Sequence, residues 1–186
     1  SVSQTLFTSS VMAESALKQW GRDPNKVHGL LEDVHKLTKS ALAEMRVLLL
    51  ELRPRSLDQM TLDKLVELQA QVMRGRNSLP VELHLGELPA LPSDAKIAFY
   101  RIVQEALNNV VKHSTATQVD IFIAEQDGEI TIRIIDNGQG FDQTQVAASS
   151  LGLGIMSERA EAIGAELQII SEINKGTEVL IRWRTG

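Results

Sequence analysis

Residues 119–141 read VDIFIAEQDGEITIRIIDNGQGF, and their pattern gives the clearest indication of the fold of the second half of the chain. Apolar residues alternate with polar ones along two segments: Val119, Ile121 and Ile123, then Ile130, Ile132 and Ile134. Such alternation is typical of strands that bury one face, and Asp127-Gly128 between the segments is a frequent hairpin turn. The stretch therefore predicts an antiparallel hairpin that runs into a loop containing Gly138 and Gly140.

The segments around this hairpin predict further strands and helices. We expect strands over 81–85, 166–172 and 177–183, and helices over 59–76, 94–113 and 152–164. Helices and mostly antiparallel strands in this order predict an α/β sandwich, in which helices cover one face of a single sheet.

The chain before Pro54 has a purely helical pattern. Apolar residues recur at three- to four-residue steps over 1–20, and a turn signal follows at 21–24. A second helix carries apolar residues at heptad-like spacing: Val27, Leu31, Val34, Ala41, Met45, Leu48 and Leu52. Two such helices form an antiparallel hairpin, and a second copy of the chain would cover the remaining apolar seam in a four-helix bundle. Packing of the seam on the chain's own globular domain is the alternative.

The change of pattern near Pro54 divides the chain into two predicted domains. Residues 1–54 form the helical hairpin and residues 55–186 form the α/β sandwich. The predicted fold class is therefore α+β, with the segment near Pro54 as a hinge between the two parts.

Composition and charge exclude several classes of function. The 186 residues are 43% apolar, enough for a core, and include no cysteine, which excludes disulfides, thiolate metal sites and cysteine nucleophiles. The net charge of −5 provides no electrostatic footprint for nucleic acid or an anionic membrane surface. No apolar run approaches the roughly 20 residues that cross a bilayer. We expect neither nucleic acid nor a membrane as a partner of this chain.

A polar face on one predicted helix is the first candidate site. Glu105 and Asn109 lie one turn apart, so both side chains point to the same side. The amide oxygen of Asn109 suits a hard cation such as Mg²⁺, and a carboxylate beside it can orient water or accept a proton. Lys112 and His113 at the helix end can meet phosphate oxygens. Without other signals, a solvated helix face is the simpler interpretation.

The glycine loop after the hairpin is the second candidate. Asp136 leaves a buried strand, so its carboxylate needs a donor partner, and the exocyclic amine of adenine is a suitable one. Gly138 and Gly140 let the backbone approach a ligand closely. An ordinary hairpin loop fits the same residues.

A second glycine pair opens the next predicted helix. Gly152 and Gly154, with Leu153 between them, expose backbone N–H groups at the positive end of a helix dipole, which favours phosphate. Thr177 precedes the last strand, where its hydroxyl could touch the base side of a nucleotide site. Each of these signals alone is modest.

Together, in this order and spacing, the motifs resemble the ATP-binding domain of the GHKL (Bergerat-type) family, which includes sensor histidine kinases, gyrase, heat-shock ATPase chaperones and mismatch-repair ATPases. The four motifs are QEALNNVVKH (104–113), DNGQGF (136–141), GLGIM (152–156) and KGTEV (175–179). The front half is similar to the histidine kinases that pair with NarL/LuxR-type response regulators. Its matching stretches are SVSQTLF (1–7) and ALAEMRVLLLELRP (41–54).

The resemblance implies ATP and Mg²⁺ as cofactors and a role for each matching residue. Asn109 would hold Mg²⁺, and Glu105 would be the acid/base or water-orienting residue. Lys112 and His113 would contact phosphates, and Asp136 would recognise adenine. The other implied ATP-binding residues, which shape the pocket and its lid or support the adenine contact, are Gly138, Gly140, Gly152, Leu153, Gly154 and Thr177.

The resemblance also implies what the chain does. A sensor histidine kinase core transfers phosphoryl from ATP to a histidine and on to an aspartate of a response regulator. The family motif His-Asp-x-x-x-Gln would place its glutamine at Gln4, which would position water for regulator dephosphorylation. The phospho-acceptor then falls before Ser1, so we expect no autophosphorylation by this chain alone. None of the chain's own histidines occupies the matching position: His28, His35, His84 and His113.

Partners and location follow from the same resemblance. We expect a homodimer through the N-terminal helices, a NarL/LuxR-type response regulator as partner, and a cytoplasmic location within a longer, membrane-anchored or free protein. Three alternatives stay open: a hydrolysing ATPase of the same family, a dimerisation scaffold with a vestigial nucleotide pocket, and a serine kinase acting on an anti-sigma-factor antagonist. The hairpin argues against the first and third, and the full set of pocket residues argues against the second.

Overall fold

A computed structural model describes residues 2–52, 59–76, 79–142 and 151–184. The helices are α1 (Val2–Gln19), α2 (Pro24–Leu52), α3 (Leu62–Arg76), α4 (Ser93–Asn109) and α5 (Leu151–Ala162). The strands are β1 (Val81–Leu85), β2 (Val119–Gln126), β3 (Glu129–Asp136), β4 (Glu166–Glu172) and β5 (Gly176–Arg184). The predicted hinge at Pro54 and the lid residues 143–150 lie outside the described residues.

The strands form one sheet in the order β1-β2-β3-β5-β4. β1 runs parallel to β2, and the other neighbouring pairs are antiparallel. The register places Ile123 opposite Ile132 and Ile132 opposite Ile181, and all three side chains are buried. The period-two alternation of the sequence therefore gives the sheet one apolar face.

The helices of the second half cover that face. Phe99, Val103 and Leu107 are fully buried along α4, and Met156 of α5 is fully buried beside them. The opposite face of the sheet carries polar side chains such as Arg133. This arrangement confirms the predicted α/β sandwich with helices on one side.

The predicted hairpin is present, because α1 and α2 pack together as antiparallel neighbours around a short turn. Ala43 and Val47 of α2 belong to the same buried core as α3. The seam residues Leu31, Met45 and Leu48 are 45%, 45% and 47% exposed in the single chain. No helix within the described ranges is long and apolar enough to span a membrane.

The end of the helix that carries the candidate site differs from the prediction. The sequence predicts an α-helix to residue 113, whereas α4 ends at Asn109 and a π-helical turn follows over Val110–Ser114. The Ser114 hydroxyl donates to the carbonyl oxygen of Val110 at 2.9 Å, and Thr115 closes the turn at φ 54°. This wider turn changes the direction of Lys112 and His113 relative to the α-helical face above them.

Candidate functional site

One cavity of about 530 Å³ lies between α4, the π-helical turn, the start of α5 and the ends of β3 and β5. Nucleotide-sized ligands occupy cavities of roughly 300–1,000 Å³. The predicted site residues that line it are Glu105, Asn109, Lys112, His113, Asp136, Gly140, Gly152, Leu153 and Thr177. The fold therefore brings together residues that lie on different helices and strands of the chain.

Three predicted site residues are not among the described residues that line the cavity: Gln4, Gly138 and Gly154. Gln4 is exposed on the first turn of α1. Gly138 instead packs against the Ser114 carbonyl, where a β-carbon would collide with the backbone. Gly138 thus acts outside the cavity. Because glycine has no β-carbon, the loop can approach the end of the π-helical turn closely.

Glu105 and Asn109 form the polar corner of the cavity. Their side chains project from successive turns of α4, and the first turn of α5 lies directly against them. A β-carbon at Gly152 would come within 2.6 Å of Glu105 Oε1 and 3.3 Å of Asn109 Nδ2. The start of α5, whose first N–H groups have no partner within the helix, therefore lies close to this pair, and a side chain at position 152 would require the Glu105 carboxylate to shift.

Asp136 is the buried acid of the cavity. Asp136 is the last residue of β3 and is only 4% exposed. Its Oδ1 accepts a hydrogen bond from the Gly138 N–H at 2.8 Å. Burial raises the pKa of Asp136 above its usual range, while hydrogen bonds from Gly138 and Thr177 act in the opposite direction. The carboxylate keeps acceptor capacity for a ligand that enters the cavity.

Ser171 on β4 links the glycine loop to the start of β5 through hydrogen bonds, although the sequence predicts no role for it. Its hydroxyl donates to the Gly176 carbonyl at 3.0 Å and lies 3.0 Å from the Thr177 hydroxyl. It also accepts the Phe141 N–H at 2.9 Å. The signal that could have found Ser171 is the pairing of β4 with β5, which places it opposite Thr177.

Gln139 is the second unpredicted residue, although it stands inside the glycine motif. Its N–H donates to the Ser114 carbonyl at 2.7 Å, and Nε2 donates to the His113 carbonyl at 2.6 Å. Its own carbonyl accepts the Asn174 N–H at 2.6 Å. Gln139 therefore ties the π-helical turn to the glycine loop and to the β4–β5 turn.

Much of the remaining cavity wall is apolar: Ile134, Met156, Ile169 and Val179 join Leu153 and Phe141 there. A flat heterocycle can bury both faces against such walls while one edge meets Asp136. Exposed Lys112 and His113 stand at the rim, where anionic groups of the same ligand can extend. The arrangement suits a ligand with an aromatic base at one end and phosphates at the other.

Comparison with protein-family models gives two matches. Residues 94–186 match the histidine kinase-, DNA gyrase B-, and HSP90-like ATPase family, and residues 1–57 match a histidine kinase family. The first match includes every predicted residue of the cavity, and the second covers α1 and α2.

Curated relatives match along four-fifths or more of the chain. It is 34% identical over 181 residues to the sensor histidine kinase LiaS of Bacillus subtilis, covering 97% of this chain and 50% of LiaS. It is 36% identical over 152 residues to the histidine-protein kinase/phosphatase DegS of Brevibacillus brevis, covering 81% of this chain and 39% of DegS. The chain thus spans about half the length, or less, of these relatives.

Solved structures share the fold. The histidine kinase domain of the Erythrobacter litoralis EL346 blue-light activated kinase aligns with a TM-score of 0.58 at 15% identity, over 98% of this chain and 92% of that chain. The Acinetobacter baumannii histidine kinase AdeS aligns with a TM-score of 0.58 at 17% identity, over 96% of both chains. Both alignments include the helical hairpin as well as the sandwich.

Proposed function

Because this chain belongs to the sensor histidine kinases of the histidine kinase-, DNA gyrase B-, and HSP90-like ATPase family, we propose that its cavity binds Mg-ATP for phosphoryl transfer to a histidine. One observation carries the proposal: a single cavity combines a buried acceptor, apolar walls and a Glu–Asn pair that lies against Gly152 in the first turn of α5. Each component serves a different part of ATP.

The base-binding end consists of Asp136, Thr177 and the apolar walls. The ionised carboxylate of Asp136 accepts a hydrogen bond from the exocyclic amine of adenine. The Thr177 side chain also bonds Asp136 and thereby orients its carboxylate. A guanine base presents an oxygen at the same position, so the carboxylate would repel it and select adenine.

The phosphate end consists of Glu105, Asn109, Lys112 and His113. Mg²⁺ fits this corner, because it takes one or two oxygen ligands from the protein and the rest from phosphates and water, and the Asn109 amide oxygen would supply such a ligand. When bound, Mg²⁺ neutralises phosphate charge. Lys112 and His113 add donors at the rim, and Glu105 orients the reacting group or accepts its proton.

Glycines let the surrounding loops close on the nucleotide. Gly140 has φ +57°, and a β-carbon there would collide with the Glu172 carbonyl. Gly152 lets the N–H groups at the start of α5 lie near the phosphate end. Leu153 lies in the cavity wall, and Gly154 follows it in the first turn of the helix. The lid proposed to exclude water includes residues 143–150, which lie outside the described residues.

The hairpin supplies the partner functions in this proposal. Two copies pair through the exposed seam of α1 and α2, forming a homodimer with a four-helix bundle. Gln4, exposed on α1, positions water for dephosphorylation of a NarL/LuxR-type response regulator. The division at residue 54, with a hinge there, lets the 55–186 domain reach a histidine that precedes Ser1.

The test is a transfer assay with the full-length protein and ATP labelled at the γ-phosphate. We expect label on the protein that is lost in acid and stable in alkali, as phosphohistidine is. Asn109→Ala should reduce labelling roughly 100-fold or more, whereas Asn25→Ala, an exposed asparagine on α2, should not change it. Steady phosphate release without labelled protein would instead identify a hydrolysing ATPase.

A further inference from the structure

Three metal-ligating side chains meet on the outward face of the sheet, away from the nucleotide cavity. Glu82 and His84 project from β1, and Asp120 projects from β2, where the parallel register sets Glu82 directly opposite Asp120. One donor atom from each residue lies within 4.8 Å of the donor atoms of the other two. None of the three lines the nucleotide cavity.

The two carboxylates face each other, and the described part of the chain places no lysine or arginine in an ion pair with either of them. The nearby Arg133 pairs with Glu178 at 2.6 Å instead. Like charges directly opposite on neighbouring strands are destabilising. Only the His84 ring approaches, with Nε2 at 3.5 Å from Asp120 Oδ1. A dication between the three side chains would remove this repulsion.

Two of the three ligand side chains, those of His84 and Asp120, have contacts that hold them in place before any ion binds. The His84 ring stacks on Phe122 with centroids 4.3 Å apart and planes 8° from parallel. The Gln118 amide donates to both oxygens of Asp120, at 3.1 and 3.3 Å. A fixed imidazole and a carboxylate with an outer hydrogen bond are features that raise metal affinity, because less side-chain freedom is lost on binding.

We propose that Glu82, His84 and Asp120 bind one divalent transition-metal ion, with Zn²⁺ as the best match. One imidazole nitrogen and two carboxylate oxygens form a donor set that Zn²⁺ accepts, with a fourth position left for water. Mg²⁺ and Ca²⁺ prefer oxygen ligands alone, so the imidazole selects against them. This proposal is independent of the ATP site.

The ion would join the edge strand β1 to its neighbour β2. β1 has only five residues and ends the sheet on that side. A ligand that binds the folded chain and not the unfolded one raises its stability. The free metal concentration would therefore set how firmly this edge of the ATP-binding domain is held.

Calorimetric titration of the nucleotide-free chain with Zn²⁺ tests the proposal. We expect one saturable site per chain, with affinity lowered roughly 10-fold or more by His84→Ala or by the isosteric Glu82→Gln. His28→Ala is the matched control, because His28 lies beside Glu32 at 3.4 Å but no third ligand completes a site there among the described residues. Asn109→Ala should leave Zn²⁺ affinity unchanged, which separates this site from the nucleotide corner.

Thermal unfolding supplies a second readout. At one Zn²⁺ concentration, the melting temperature should rise equally for the unaltered chain and His28→Ala and should rise less for Glu82→Gln, whose melting temperature without metal confirms that it folds. Gln118→Ala should weaken binding roughly 10-fold through Asp120. The proposal is overturned by the absence of a saturable site, or by equal Zn²⁺ affinity in His84→Ala, Glu82→Gln and the unaltered chain.

Discussion

At the scale of single residues, Asp136 combines burial with a raised pKa, which costs the fold stability when the carboxylate is charged. Its carboxylate is buried, and burial raises its pKa. Because the folded chain then holds the proton more tightly than the unfolded chain, the charged carboxylate destabilises the fold at pH values above its folded pKa, and this cost disappears as the pH falls through that pKa. An acid retained under such conditions is typical of a binding role.

Asp136→Asn is expected to separate the two effects. The amide oxygen can still accept the Gly138 N–H, so folding is preserved, and removal of the buried charge should leave the melting temperature at neutral pH equal to or above that of the unaltered chain. ATP affinity should fall about 10- to 100-fold, because the amide is a weaker acceptor for adenine. Differential scanning calorimetry and nucleotide titration measure both. Asp127→Asn, in the β2–β3 turn, is the control and should change neither; a strongly destabilised Asp136→Asn would contradict this account.

ATP affinity should also depend on pH through Asp136. As the pH falls through the raised pKa of this residue, the carboxylate becomes protonated and loses its charge-assisted bond to the adenine amine. Affinity should therefore decrease on acidification, beginning at a higher pH than for an exposed aspartate. Calorimetric titrations with adenosine, which has no phosphate groups to titrate, isolate the contribution of Asp136 to this pH dependence. The pH dependence should be absent in Asp136→Asn.

At the scale of elements, the contact between α2 and α3 depends on one glycine. A β-carbon at Gly75 of α3 would collide with the side chain of Ser40 on α2, which is itself buried. The two helices approach each other at this point because neither carries a large side chain there. The contact links the hairpin to the ATP-binding part of the chain.

Gly75→Ala is expected to destabilise the chain by about 1–3 kcal/mol through overpacking of this contact. Ser40→Gly in the same chain should restore much of the loss, because the colliding atoms belong to the serine side chain. Gly29→Ala, in α2, has nothing within 4 Å of the added methyl and should be neutral or stabilising. Denaturant unfolding measures all three; no destabilisation by Gly75→Ala would contradict the packing described here.

Most elements could be predicted from the sequence, because each has a strong local pattern. Alternating isoleucines predicted β2 and β3, and Asp127-Gly128 predicted their turn, where both residues have positive φ. The π-helical turn over 110–114 could not be predicted, since its hydrogen-bond pattern has no marker in composition. The parallel direction of β1 was also beyond reach, because alternation specifies faces and not strand direction.

Some residues of the candidate site could likewise be predicted from the sequence, and others could not. Glu105, Asn109 and Asp136 were predicted to meet, and the structure places all three at one cavity. Ser171 and Gln139 were not predicted, because their roles arise from strand register and from backbone contacts between distant segments. A role that depends on the chemical type of a side chain could be predicted from the sequence. A supporting role that depends on where the fold places a residue could not.

At the scale of the whole molecule, the hairpin leaves an apolar surface uncovered in the single chain. Phe7 and Leu17 of α1 and Trp20 in the turn after it are more than two-thirds exposed, and Leu31 and Met45 of α2 are 45% exposed. Large exposed apolar surfaces of this kind mark association sites. The surface lies on the helices, away from the cavity that binds nucleotide.

Leu31→Glu combined with Met45→Glu should convert a dimer into a monomer of 20.5 kDa, because charges would be buried at the seam. ATP affinity should be unchanged, since neither residue lines the cavity. Sedimentation equilibrium measures the mass. Ile173→Glu, which replaces an apolar residue 58% exposed between β4 and β5, is the control and should remain dimeric; a monomeric unaltered chain would contradict the seam assignment.

Binding of Mg-ATP by the cavity around Glu105, Asn109 and Asp136 can be measured by isothermal titration of the chain with a non-hydrolysable ATP analogue, with and without Mg²⁺. We expect one saturable site per chain, with an affinity that increases when Mg²⁺ is present. In Asn109→Ala the affinity should no longer depend on Mg²⁺. Absence of binding, or binding that Asn109→Ala leaves unchanged, would contradict it.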